Sequence, residues 1–256
     1  MSGPLEGLKV LEIANWVAAP SACAILADLG AEVVKIEHPE TGDPVRGIDV
    51  SSRGVVQYSG GINTIFELLN RGKQSVAVNL GVPKGQEVVQ KLASQSDVVV
   101  TNLTPHRQER YRLRYEDLSV LNPRTIYLAL TGYGTQGPER DRSGFDYAAF
   151  WARSGIMASL GEAGGPPTQQ RPGMGDQTTS LALTAAIGVA LYERERSGGK
   201  GRESTALCSM RACGLLAQIL WLLLRLKSQS NVYREMRWAT RSSISIRRQT
   251  ANGCNS

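Results

Sequence analysis

The residues best suited to chemistry in this chain are carboxylates, amides and cations placed beside glycine-rich turns. Asp176 follows RPGMG and opens a helical pattern expected over Asp176–Arg196, with Leu181, Ala185, Gly188 and Leu191 at helical spacing. An Asp at that place commonly caps a helix N-terminus. It also fits a carboxylate nucleophile, whose ionised form backbone amides and the helix dipole would favour. Gly173 and Gly175 leave room for a substrate carbonyl to approach. Asp146 is a second candidate, also near an expected helix start. Lys73, Lys84, Arg107 and Arg110 lie near strand ends or on helices beside them, where each is either a solvated charge or an anion partner. Asn102 follows an apolar strand, where ligand crevices open, although an Asn near Pro105 also suits a turn.

Other chemistries lack their residues. The turn after the first strand reads Asn15-Trp16-Val17-Ala18-Ala19-Pro20, without the GxGxxG that lets backbone approach a dinucleotide pyrophosphate. A GxSxG elbow is missing, and Cys23 falls inside a helical stretch rather than a basic setting, so serine and cysteine hydrolase readings have little support. No spacing rule makes Asp146 and Asp176 a glycosidase pair. The cysteines Cys23, Cys208, Cys213 and Cys254 have no CxxC spacing, and His38 and His106 are the only histidines, so neither a structural metal nor a disulfide framework is expected.

The elements that must position these groups alternate. Leu8–Ala14 reads as a strand, Pro20–Leu29 as a helix stopped by Gly30, and Ala31–Glu37 as a second strand, together one βαβ unit. Strands over Lys73–Leu80, Asp97–Leu103 and Thr125–Leu130 continue the pattern, with helices over Lys84–Ser94 and Glu116–Leu121. Several strands are continuously apolar, as in a parallel sheet covered on both faces. The expectation is an α/β protein with a Rossmann-like, open, mostly parallel sheet flanked by helices. Between Tyr133 and Gly175 two Gly/Pro-rich loops flank a helix expected near Phe145–Met157, and long loops of this kind tend to carry binding and chemistry.

The net charge of +6 invites a nucleic-acid reading, but the 256-residue chain carries +4 of it in residues 228–256, a Ser- and Arg-rich stretch without helical or strand period. The remaining body is nearly balanced, so no nucleic-acid partner is expected. The longest apolar stretch, Ala212–Leu224, is interrupted by Gly214 and Gln218 and falls short of the roughly 20 residues that span a bilayer. No membrane partner is expected, and the start MSGPLEGLKVLEIA lacks the basic and apolar regions of a secretory signal. The thiols and the signal-free start point to the cytoplasm.

Several blocks, in order and spacing, resemble the class III CoA-transferases, the family of formyl-CoA transferase, carnitine CoA-transferase and a related 2-methylacyl-CoA racemase. They are PLEGLKVLEIANWVAAP with LADLGAEVVKIEHPETGDPVR, then NRGKQSVAVNL, SDVVVTNLTPHRQERYRL, LNPRTIYLALTGYG, and RPGMGDQTTSLALTAAIGVALYERERSGGKG. The resemblance spans roughly residues 4–201. It implies CoA transfer between an acyl-CoA and a carboxylic acid, with Asp176 attacking the thioester to give a mixed anhydride. It implies no prosthetic group, CoA and acyl-CoA being substrates. It assigns CoA contacts to Asn15, Val17, Ala18, His38, Lys73, Val78, Asn102, Leu103 and Arg110, with Lys73 and Arg110 meeting phosphates. His38 stands where relatives often have Arg. A racemase would carry a His before Asp146; Phe145 stands there, which favours transfer. Family members form homodimers and run to near 400 residues with a second, smaller domain. The expected division here is therefore a CoA-binding domain over 1–201, a strand–helix continuation over 202–227 and a basic tail over 228–256, the second domain being largely missing. A truncated, non-catalytic CoA-binding remnant is the alternative reading.

Overall fold

The computed structural model describes residues 3–48, 62–160, 162, 164–168 and 170–207. The expected helix after 207 and the basic tail lie outside the described residues. Six strands form one sheet: β1 (Lys9–Ile13), β2 (Glu32–Glu37), β3 (Lys73–Ala77), β4 (Val98–Thr101), β5 (Ile126–Thr131) and β6 (Glu203–Leu207). Every neighbouring pair is parallel, and the order is β3-β2-β1-β4-β5-β6. This is the doubly wound arrangement, in which the chain runs outward from β1 in one direction and then returns to add β4 on its other side. The α/β expectation holds.

The strands form where the sequence is β-branched and apolar. Val98, Val99 and Val100 of β4 and Ile126, Tyr127 and Leu128 of β5 are all buried, because helices cover both faces. Helix α1 (Ala18–Asp28) is made largely of Ala, which lets its backbone pack close to the sheet. Gly30, at φ +100°, then turns the chain into β2. Helix α7 (Met174–Arg196) packs against α1, and Gln177 Nε2 donates to Ser21 Oγ across that contact (3.1 Å). At its far end Arg194 is buried and donates to Asp97 Oδ1 (3.0 Å).

Two expected helices change form. The stretch near Phe145–Met157 divides into a π-helical turn, Asp146–Ala152, and a short helix α6 (Ile156–Ser159), because Gly155 adopts a left-handed conformation between them (φ +80°). Helix α7 begins two residues earlier than its periodic pattern, since glycines at its start carry no apolar signal. Between these elements run α2 (Thr64–Asn70), α3 (Pro83–Ser94), α4 (Pro105–Arg110) and α5 (Tyr115–Ser119). Helix α2 is too short, and α4 too short and too polar, to show as periodic segments. Among the described residues no helix is long and apolar enough to cross a membrane.

The sheet also buries charge. Glu12 of β1 and Lys35 of β2 are fully buried, with Lys35 Nζ 2.6 Å from Glu12 Oε1 and 2.8 Å from Asp43 Oδ2. Lys73, at the start of β3, places Nζ 2.7 Å from Glu12 Oε2 and donates to the carbonyls of Pro20 and Leu69. Two carboxylates thus face two ammonium groups in the interior. Burial works against the charge on Lys35, but Glu12 and Asp43 outweigh it and hold the ammonium above the ordinary lysine range. Cys23, beside this cluster, has its thiol pushed well up, by burial first and by Glu12 second, and it is not a reactive thiolate.

Candidate active site

A doubly wound sheet opens a crevice where its winding reverses, at the carboxyl ends of β1 and β4. Here Asn15 follows β1 and Asn102 follows β4, and the two are tied together. Asn102 Oδ1 accepts the backbone N–H of Asn15 (3.1 Å), while its Nδ2 donates to the Asn15 carbonyl (2.7 Å). A cleft of about 150 Å³ lies at this point. Asn15, Val17 and Ala18 border it on one side, and Asn102 with Leu103 on another. Asp176 borders it as well.

Close backbone approach builds the rest. Gly132 follows β5, and Gly144 lies in the loop ahead of Asp146. A Cβ on Gly132 would stand 2.5 Å from Gly144 Cα, and one on Gly144 would stand 2.2 Å from Gly132 Cα. Only glycine at both positions lets the two loops touch, and their contact delivers Phe145 to the cleft, with Asp146 buried next to it in sequence.

Asp176 is the third residue of α7, and Gly173 (φ +82°) takes the cap position. The N-cap reading of Asp176 is therefore corrected. The acid that serves the helix start is Asp146, whose Oδ2 accepts the N–H of Gly173 (2.7 Å). Asp146 is buried, and burial raises its carboxyl above the ordinary range against the opposing pull of the Gly173, Asp176 and Gly175 amides. Asp176 is half-buried and its carboxyl is pushed up to about 7, by burial first and by the charge of Asp146 second. This reverses the expectation that the helix end would favour its ionised form. The favourable amides are already engaged by another carboxylate, and desolvation dominates.

The pair allows a direct test of this electrostatic coupling. In Asp146→Asn, the amide oxygen still accepts from Gly173 but the charge is gone, so the pKa of Asp176 falls. The acid limb of any activity that needs ionised Asp176 is expected to move to lower pH. Activity at pH 6 relative to pH 8 should then rise about three- to tenfold. A pH–rate profile that keeps its acid limb would show that Asp146 does not act on Asp176.

Gly175 lies between the two acids. A Cβ there would stand 2.3 Å from Asp146 Oδ1 and 2.4 Å from the Phe150 ring. Gly175→Ala is expected to cost about 1–3 kcal/mol of stability, as overpacking does, and to displace Asp146. Denaturant unfolding measures the first effect, and loss of the raised Asp176 pKa the second.

The cations divide in a way the sequence does not show. Arg107, Arg140 and Arg142 border the cleft. Arg140 pairs with Asp141 (3.0 Å) and Arg142 with Glu139 (2.6 Å), whereas Arg107 is exposed and has no ion pair among the described residues. Arg110, also exposed on α4, lies outside the cleft, its guanidinium 5.9 Å from the Tyr111 ring centroid. His38 is exposed away from the cleft, its Nδ1 accepting the N–H groups of Glu40 and Thr41. Val78 belongs to the core, and the ammonium of Lys73 is committed to Glu12 inside the protein. Sequence reasoning gave no role to Arg140 or Arg142, and pointed to Trp16 only as part of the Asn15–Ala18 turn that the family pattern implies for CoA contact. Trp16 has φ +70°, and its ring sits edge-on to Phe145 with centroids 5.4 Å apart.

A carboxylate pushed up to about 7, an arginine with no ion pair among the described residues and a switch-point crevice lie together here. The family model for CoA-transferase family III matches residues 5–231, and the chain belongs to that family. It is 36% identical over 210 residues to cinnamoyl-CoA:phenyllactate CoA-transferase of Clostridium sporogenes, covering 82% of this chain and 50% of that one. It is 38% identical over 211 residues to succinyl-CoA:glutarate CoA-transferase of Mus musculus, covering 82% and 47%. A CAIB/BAIF family protein from Brucella suis superposes with a TM-score of 0.75 at 34% identity, over 88% of this chain and 58% of that one. The chain spans about half the length of the curated relatives it matches.

Proposed function

We propose that this chain carries the CoA-binding and nucleophilic half of a CoA-transferase, which moves CoA between an acyl-CoA and a carboxylic acid. The observation that carries the reading is Asp176, a half-buried carboxylate in the switch-point cleft whose carboxyl burial and Asp146 push up to about 7. Ionised Asp176 attacks the thioester carbonyl and expels CoA thiolate, leaving a mixed anhydride. The thiolate then attacks the aspartyl carbonyl, releasing the donor acid and leaving an aspartyl thioester. An acceptor carboxylate repeats the sequence in reverse. Carboxylate and thiolate exchange the acyl group between them, so the chemistry needs no prosthetic group. A raised pKa makes the carboxylate a stronger nucleophile while leaving it about half ionised at neutral pH.

Asn15, Val17, Ala18, Asn102 and Leu103 border the thioester arm in this reading, and Arg107, which borders the cleft and has no ion pair among the described residues, is a cation for its phosphates. CoA is longer than the cleft, and His38 and Arg110, exposed beyond it, are proposed contacts of its far end. Lys73 and Val78 act from beneath, by holding the sheet. Phe145 offers no proton to exchange, which supports transfer over racemisation. Family membership supports a homodimer and a cytoplasmic location as parts of the same proposal.

The test is to incubate the full chain with succinyl-CoA and a panel of isotope-labelled carboxylic acids, and to look for new labelled thioesters. Exchange with one or more acids is expected. Binding of free CoA without exchange for any acid would leave only the reading of a CoA-binding remnant.

A further inference from the structure

We propose that Trp16 is a specificity-determining residue of this site: the buried Asp43 carboxylate holds it in the left-handed region, so that its ring, edge-on to Phe145, forms the wall on which an apolar acyl group packs. The proposal rests on the CoA-transferase reading and adds the class of acyl group to it.

The backbone around Trp16 is costly and is held from three sides. A φ of +70° is strained for a bulky residue, and such strain persists where the surroundings over-determine it. The Ala14 carbonyl accepts from the buried Lys35 ammonium of β2 (2.8 Å). Both polar groups of the Asn15 backbone are taken by Asn102, beyond β4. The Trp16 N–H goes to Asp43 Oδ1 (3.2 Å), which also accepts from Val45 (3.0 Å). Asp43 is fully buried, its Oδ2 pairs with Lys35, and its own N–H is fixed by Glu37 (2.9 Å). A four-charge interior cluster thus ends on the backbone of one surface residue.

Held this way, the Trp16 ring stays out of the core. It is 38% exposed, Phe145 is 52% exposed, and both border the cleft that takes in Asp176. A Cβ on Gly173, three residues ahead of Asp176, would touch Val17 at 3.9 Å, which places the Trp16 turn beside the start of α7. Two large exposed rings offer apolar area whose burial by a ligand is favourable. Arg107 suits phosphate, and the rings suit the part of a thioester that carries no charge.

The experiment measures dissociation constants of the full chain for free CoA, acetyl-CoA and phenylacetyl-CoA by calorimetry. It compares the parent with Trp16→Gly and Trp16→Leu. Glycine takes a φ of +70° without strain, so Trp16→Gly leaves the turn intact, and its thermal midpoint is measured alongside. The parent is expected to hold phenylacetyl-CoA at least about tenfold more tightly than acetyl-CoA. In Trp16→Gly that preference should fall within about twofold of unity with free CoA unaffected, and Trp16→Leu should recover part of it. A preference that survives in Trp16→Gly overturns the proposal. So does an equal loss for CoA and both esters, which would put the ring on the nucleotide. A parent that binds CoA without preferring either ester overturns the proposal and leaves the transferase reading standing. A parent that binds none of the three overturns both.

Discussion

Replacing Asp176 by Asn is expected to lower acyl transfer by at least about a thousandfold and, above pH 7, to make the folded chain more stable. Both effects come from one cause. The side chain keeps its shape but loses the negative charge that attacks the thioester. That charge is also what the fold tolerates poorly, since burial and Asp146 together postpone its ionisation to about 7 from an ordinary 3.8. The folded state therefore binds this proton more tightly than the unfolded state. The contribution to stability is fully present below the ordinary carboxyl pKa and is lost as pH rises through about 7. At pH 8 the parent bears the whole cost of ionisation, at most about 4 kcal/mol and less to the extent that water reaches the half-buried group. In a domain of this size each kcal/mol corresponds to roughly 2–4 °C in the thermal midpoint. Asp176→Asn should melt several degrees above the parent at pH 8, with the gap closing towards pH 4.5. Equal midpoints at both pH values would mean that Asp176 is not a destabilised carboxylate.

Lys73→Met is expected to destabilise the chain by about 3–5 kcal/mol, because it leaves Glu12 in the interior with two carboxylates against one ammonium. Removing both partners, as Lys73→Met with Glu12→Met, restores the balance between Lys35 and Asp43 and should recover most of the loss. CoA affinity in the single variant should change less than about threefold, since no part of the Lys73 ammonium faces the cleft. A variant of parental stability that binds CoA tenfold more weakly would return Lys73 to the phosphate-binding role that the family pattern implies.

These two residues show what could and could not be seen before the fold. The β1–α1–β2 unit is legible because LKVLEIA, PSACAILADLG and AEVVKIE each carry a strong local signal, and the parallel sheet follows from β4 and β5 being apolar throughout. Asp176 stands out for the same local reason, a carboxylate after glycines at a helix start. Its environment does not, because the burial and the neighbouring Asp146 that set its pKa arrive across 30 residues of chain. Lys73 reads as a surface charge at a strand end. Its burial depends on Glu12 and Lys35 in two other strands, which no spacing along the chain reveals. On α4 the segment PHRQER has no apolar stripe, so nothing local tells which arginine faces the cleft, and Arg107 rather than Arg110 does.

The central claim is that the carboxylate of Asp176 forms a covalent bond to the carbon of a thioester. It is tested most directly by mixing the full chain with an acyl-CoA, adding hydroxylamine to trap any activated aspartyl group, and mapping the peptides by mass spectrometry. A hydroxamate is expected on the peptide containing Asp176, formed only when the thioester is present and missing from Asp176→Asn. Turnover of the thioester with an unmodified Asp176, or with the trapped group on another residue, would contradict it.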